Sequence, residues 1–181
     1  HTMSTSLPKL APLLLSLLAV ASRLLPHPPN FAPISAAARF SAVHFPIPFA
    51  FLVPLASMFL SDLAIGFHGP LMFFVYISFA ISSLIGLALK KRLSPKNAAF
   101  ASLAASLQFF LITNFAVWAL PPFPYPQSLS GILQSYTLAL PFFRNTLLGD
   151  LFFTFTLFYS YSFTKHHLKS LLPSRLFHLA F

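Results

Sequence analysis

The sequence has no cysteine, only five glycines and one tryptophan, and two acidic side chains, Asp62 and Asp150. Without cysteine there is no disulfide framework, no thiolate nucleophile and no thiolate metal site. No Gly-rich phosphate loop is present. Ser22, Ser61 and Ser102 have no matching base and acid, so a hydrolase triad has no support. His27, His44 and His68 lack metal-ligand spacing, and His166 and His167 belong to a basic tail, so no metal set emerges. Charge is also scarce. Only 7% of residues are charged, against about a quarter in an ordinary soluble domain.

What the chain has instead is apolar surface. Hydrophobic residues make up 57% of its 181 positions, 24 of them Phe, and the mean hydropathy is +0.79. A soluble domain of this size buries only about two-thirds of its unfolded surface, too little to hide that much. The expected fold is an all-α integral membrane bundle. A crossing takes about 20 residues, so the length leaves room for about six. The spans are expected near 10–25, 31–45, 49–66, 71–89, 97–120 and 145–163, forming one bundle over 3–165. His1 and Thr2, ahead of Met3, are set aside as a cloning remnant. The first span follows Lys9 as a signal peptide would, but the membrane pattern continues past it, so it is expected to be retained.

Prolines punctuate the pattern. PHPPN at 26–30 cannot continue a helix, Pro46 and Pro48 make a turn, FHGP at 67–70 makes another, and PPFPYP at 121–126 is stiff and extended. The second span is rich in Ser and Ala, which predicts close packing against protein. Ala38 with Ala42, and Ala101 with Ala105, have the small-xxx-small spacing of tight helix contacts. Residues 128–143 read as an interfacial helix before the last span, and 166–181 as a basic amphipathic tail on the membrane surface.

The net charge of +9 would suggest nucleic acid in a soluble protein. Here the cations cluster at span ends: Lys9; Lys90, Lys91, Arg92 and Lys96; Lys165, Lys169 and Arg175. With six spans all three groups share one side, which the positive-inside rule makes cytoplasmic. Both termini are then cytoplasmic, in the cell inner membrane. No nucleic-acid partner is expected, because no basic stripe interleaved with aromatics is present.

Hydrogen-bonding side chains collect at the other side. Arg23, His27, Asn30, Asp62, His68, Asn114, Trp118, Tyr125, Tyr136 and Arg144 form the expected substrate-binding set, roofed by the proline loops. Asp62, near the end of an apolar span, is costly unless paired, and Arg23 is the expected partner, either as a ligand anchor or as a structural tie between spans one and three. Asp150 has two candidate partners, Arg144 and Arg39. Trp118 and Tyr125 suit either a pocket wall or an interfacial aromatic belt. No catalytic site and no cofactor are expected.

The segments ASRLLPHPPNFAPI at 21–34, PLASMFLSDLAIGFHGPLMFFVY at 54–76, FFLITNFAVWAL at 109–120 and SYTLALPFFRNTLLGD at 135–150 resemble a bacterial family of small six-span membrane proteins. That family in turn resembles the substrate-binding S components of energy-coupling-factor (ECF) vitamin transporters. The resemblance implies uptake of a vitamin or precursor, with cobalamin among the candidates, bound at the outer face. It also implies a transmembrane coupling protein and two ATPases as partners, since this chain has no nucleotide site. Two other readings compete: a small membrane enzyme acting on a lipid or quinone, and a structural membrane subunit without a ligand.

Overall fold

The computed structural model describes residues 7–67 and 69–171, with side chains from 11 to 167 apart from His68. His68 and the tail beyond 171, both singled out above, lie outside the described residues. The described chain is helical throughout, without a strand: α1 (Leu7–Leu24), α2 (Ile34–His44), α3 (Ile47–Ile65), α4 (Leu71–Lys90), α5 (Pro95–Ala119) and α6 (Leu129–Leu171).

The breaks fall where local chemistry puts them. PHPPN separates α1 from α2. Gly66, at φ +102°, ends α3 in a conformation that side-chain-bearing residues rarely adopt. Ser94 caps α5 by accepting from the Asn97 amide at 3.1 Å, followed by Pro95 in the first turn, where its missing N–H costs nothing. Asn30 takes a positive φ of 61° between α1 and α2, which Asn tolerates.

Contacts between helices fix their directions. Ser57 donates to the Ser16 carbonyl and Arg23 meets Asp62, so α1 and α3 run the same way. Ser83 reaches back to the Ala50 carbonyl while Tyr76 bonds Asp62, so α4 reverses α3. Ser106–Asp150, Ser102–Thr154 and Tyr136–Leu111 make α6 antiparallel to α5. Ser35 pairs with Ser82, and Val43 packs with Leu89, so α2 runs with α4. The six helices therefore alternate. One end of the bundle carries the Lys90–Lys96 turn and Lys165, whose charges both reach His44. The other carries Arg23, Asp62 and the two proline-rich loops.

α2 is the axis of this arrangement. Ten of its eleven residues are buried, and it packs against α1, α3, α4 and α6. Its small residues permit that crowding. A Cβ placed on Gly86 of α4 would lie 2.7 Å from both the Ala42 Cβ and the Arg39 Cα, so Ala42 of the predicted small-residue pair meets Gly86 of α4 in a contact that leaves no room for a side chain there.

Burial is inverted relative to a soluble protein. The enclosed positions of α4 are Ser78, Ser82, Ser83, Gly86 and Leu89, while Phe73 and Leu84 face outward. A lipid environment makes this stable, because outward Leu and Phe need not be covered and inward hydroxyls bond one another.

Three helices, α3, α4 and α5, are long and apolar enough to cross a membrane. The expected set of six such spans is corrected on this point. The apolar part of α1, Ala11–Leu24, falls in a shorter class, and α2 has only 11 residues. The separate interfacial helix at 128–143 is also corrected. Residues 129–171 form one 43-residue helix, about 65 Å long at 1.5 Å per residue. Pro141 lies within it and does not end it.

Candidate functional site

Two buried ion pairs organise the interior. Asp62 on α3 is 1% exposed. One of its carboxylate oxygens accepts from Arg23 Nη1 at 2.8 Å, the other from the Tyr76 hydroxyl of α4, also at 2.8 Å. The same Nη1 donates to the Ser61 hydroxyl and, at 3.4 Å, to the Met58 carbonyl. Three helices are thereby tied at one carboxylate, with both charges compensated as a low-dielectric interior requires. Arg23 Nε and Nη2 make no hydrogen bond among the described residues, and its side chain keeps 19% exposure. One edge of the guanidinium is thus committed and the other is available.

The second pair is deeper. Arg39 of α2 is the largest fully buried side chain, and its Nη2 lies 3.4 Å from Asp150 Oδ1 of α6. Of the two candidate partners for Asp150, the structure selects Arg39; Arg144 is exposed. Arg39 Nη1 donates to Ser35 at 2.6 Å, and Nη2 to Thr154 at 2.8 Å and Ser102 at 3.3 Å. Asp150 Oδ2 accepts from Ser106 at 2.7 Å and Ser35 at 3.3 Å. Ser35 continues the chain to Ser82, which receives Gln108 Nε2 at 3.3 Å. Each of these elements contributes groups four residues apart (Ser35/Arg39, Ser78/Ser82, Ser102/Ser106 and Asp150/Thr154), the spacing that puts both on one helix face. Arg39 Nε and Gln108 Oε1 remain buried without a partner.

Between the two pairs lies a cavity of about 260 Å³. Arg23, His27 and Asn30 stand on one side, Ser35, Thr146 and Asp150 on another, with Met58, Val75, Phe79 and Phe109 as apolar walls. An adjoining cavity of about 210 Å³ shares Asn30, Val75, Phe109 and Thr146, and adds Asn114, Phe110 and Phe143. Phe79 and Phe109, both on the wall of the first cavity, pack at 5.4 Å between ring centroids. Among the described residues no three His, Asp or Glu side chains converge as a metal site.

The structure gathers only part of the sequence-predicted set. Arg23, His27 and Asn30 line the first cavity; Asn30 and Asn114 line the second. Asp62 stands behind Arg23. Trp118 instead donates to the Pro126 carbonyl at 2.9 Å, and Gln127 donates to the Trp118 carbonyl, so Trp118 pins the proline loop. Tyr136 donates to the Leu111 carbonyl at 2.8 Å, joining α6 to α5. Neither cavity wall includes Trp118, Tyr125, Tyr136 or Arg144. Sequence reasoning passed over Tyr76, Gln108, Thr146 and the paired serines. The four-residue spacing of polar groups within apolar spans is the signal that identifies them.

Residues 4–171 match a family described as a family of unknown function, DUF6580. The chain belongs to that family. No curated protein and no solved structure matches it.

Proposed function

We propose that this DUF6580 member is a membrane-embedded binding component of a small-molecule uptake system, taking a vitamin-like ligand from the outer face. The observation that carries the reading is the cavity in contact with both ion pairs, at the end of the bundle remote from the Lys90–Lys96 turn. In this reading all six helices cross or fill the membrane, both termini are cytoplasmic, and the membrane is the cell inner membrane. A transmembrane coupling protein and two ATPases supply the energy, as in the transporters that the chain resembles.

The walls define the ligand chemically. The uncommitted edge of Arg23 calls for a carboxylate or carbonyl. The Asp150 carboxylate across the cavity calls for a hydrogen-bond donor, and Val75, Phe79 and Phe109 call for a flat apolar body. A compact ligand with an acceptor at one end and a donor at the other satisfies all three. The cavity size favours such a molecule over a corrinoid such as cobalamin.

Thermal melting of the detergent-purified protein against a panel of vitamins and their precursors tests the proposal. A ligand present at 100 times its Kd adds about 2.7 kcal/mol of stability. The expected result is one compound class that raises Tm in the native chain and not in Thr146→Phe, which fills both cavities. The proposal fails if no compound shifts melting and mass spectrometry finds no small molecule retained by the purified protein.

A further inference from the structure

A third cavity, of about 280 Å³, lies at the opposite end of the bundle, between the α4–α5 turn and α6. Leu93, Ser94, Pro95 and Ala98 form one wall; Phe155, Phe158, Tyr159 and Ser162 form the other. It shares no residue with the two cavities above. We infer that this cleft is a binding site for an anionic phospholipid of the adjacent leaflet, with an acyl chain in the cleft and the phosphate at the Lys90–Lys96 turn.

The first argument is the layout of the cleft. On α6 its lining residues fall at 155, 158, 159 and 162, a single stripe of helical spacing, and the next positions on that stripe are Lys165 and His166, both exposed. On the other wall the lining run 93–95 is flanked directly by Arg92 and Lys96, also exposed. The α6 wall therefore passes from apolar to cationic, the order in which a phospholipid passes from acyl chain to phosphate, and the other wall carries a cation on either side of its lining run.

The second argument is charge. The chain's two acidic side chains are both spent inside the bundle, Asp62 on Arg23 and Asp150 on Arg39. No acidic side chain is left to meet Lys90, Lys91, Arg92 and Lys96, which gather within seven residues at the mouth of the cleft. A basic pocket between membrane helices at the level of the headgroups is suited to an anionic lipid. Zwitterionic lipid offers the same acyl chain but no net charge, so it fits the apolar walls and leaves the turn uncompensated.

The site rests on the chain being embedded in a membrane and not on the proposed ligand cavity, so each can fail without the other. Native mass spectrometry of the full chain, released from detergent with phosphatidylglycerol or phosphatidylcholine, reads it directly. The native chain is expected to retain phosphatidylglycerol preferentially. Arg92→Gln with Lys96→Gln weakens that binding about fivefold for each charge removed and abolishes the preference. Ser162→Trp, an exposed position whose larger side chain fills the cleft, loses bound lipid while keeping the native circular dichroism spectrum. Arg144→Gln, a cation removed at the other end, leaves the preference as it was. Equal retention of the two lipids by the native chain overturns the inference, as does a preference that survives both the double variant and Ser162→Trp. Equal stabilisation by inorganic phosphate makes the site one for a soluble anion and overturns it. A dimer that replaces bound lipid and disappears in Ser162→Trp makes the occupant a second copy of the chain and overturns it equally.

Discussion

Nη2 of Arg39 lies 3.4 Å from Oδ1 of Asp150; the Arg39 side chain is fully enclosed and that of Asp150 keeps 2% exposure, at the cavity wall. The pair joins the central helix α2 to α6, and serines and a threonine from α2, α5 and α6 supply the remaining partners. Removing one member leaves a buried charge uncompensated, which costs about 3–5 kcal/mol in comparable settings. Arg39→Gln and Asp150→Asn are each expected to lower the melting temperature sharply. The double variant, Arg39→Gln with Asp150→Asn, is expected to be less destabilised than the sum of the two single losses, because the second change removes the orphaned charge left by the first. A double-mutant cycle on thermal melting measures that difference; strict additivity would show the two residues to be independent.

Among the described residues, the Tyr76 hydroxyl is the neutral donor on Asp62, at 2.8 Å. A hydrogen bond to a charged group contributes about 1.5–3 kcal/mol. Tyr76→Phe is expected to lose a value in that range while leaving the Arg23–Asp62 bond intact. Ligand-dependent stabilisation should persist in Tyr76→Phe and fall in Arg23→Lys, whose ammonium cannot offer a second donor edge to the cavity. Denaturant or thermal titration with and without ligand separates the two effects. Equal loss of ligand response in both variants would remove Arg23 from its assigned role.

Gly86 is a packing requirement. A methyl group there meets the Ala42 Cβ and the Arg39 backbone, and no flexible side-chain end is available to yield. Gly86→Ala is expected to destabilise by about 1–3 kcal/mol, the range for overfilling a packed interior. Leu84→Ala, two positions away on the outward face of α4, should change melting little. If the two variants melt alike, α2 and α4 are not in the contact described.

Several of these relationships are visible in the sequence, and the reasons for the others are physical. The Arg23–Asp62 pair is readable because a carboxylate at the end of an apolar span has few ways to be satisfied, and Arg23 sits at the matching level of α1. The ends of α3, α4 and α5 fall within two residues of expectation because proline, glycine or a cationic turn marks each one. The continuity of α6 is hidden by its polar content. Arg144 and Asn145 mark the expected start of the last span, yet Asn145 bonds the Pro29 carbonyl at 3.1 Å and the helix runs on through both. Pro141 lies inside the helix, where a proline's lost hydrogen bonds can be replaced by neighbouring groups. The serine network is harder still, because one serine in a membrane helix is unremarkable in isolation. Only the repeated four-residue spacing across α2, α4 and α5, taken with Asp150 and Thr154 of α6, marks a shared face.

The absence of cysteine makes the orientation directly measurable. Single cysteines at Ser128, Lys96 and His166, all exposed, place one label beside the ligand-cavity end and two at the cationic end. In intact spheroplasts a membrane-impermeant maleimide is expected to modify Ser128→Cys at once, and Lys96→Cys and His166→Cys only after permeabilisation. The reasoning is electrostatic: cations are retained on the cytoplasmic side during insertion, and the alternation of the helices brings the Lys90–Lys96 turn and the start of the tail to one end. Labelling of positions 96 and 166 from opposite faces would require an odd number of crossings between them and would break the alternation. Labelling of Ser128→Cys only after permeabilisation, with positions 96 and 166 modified at once, would leave the helix directions intact but turn the cavity between Arg23 and Asp150 toward the cytoplasm, and uptake from outside would lose its entry point.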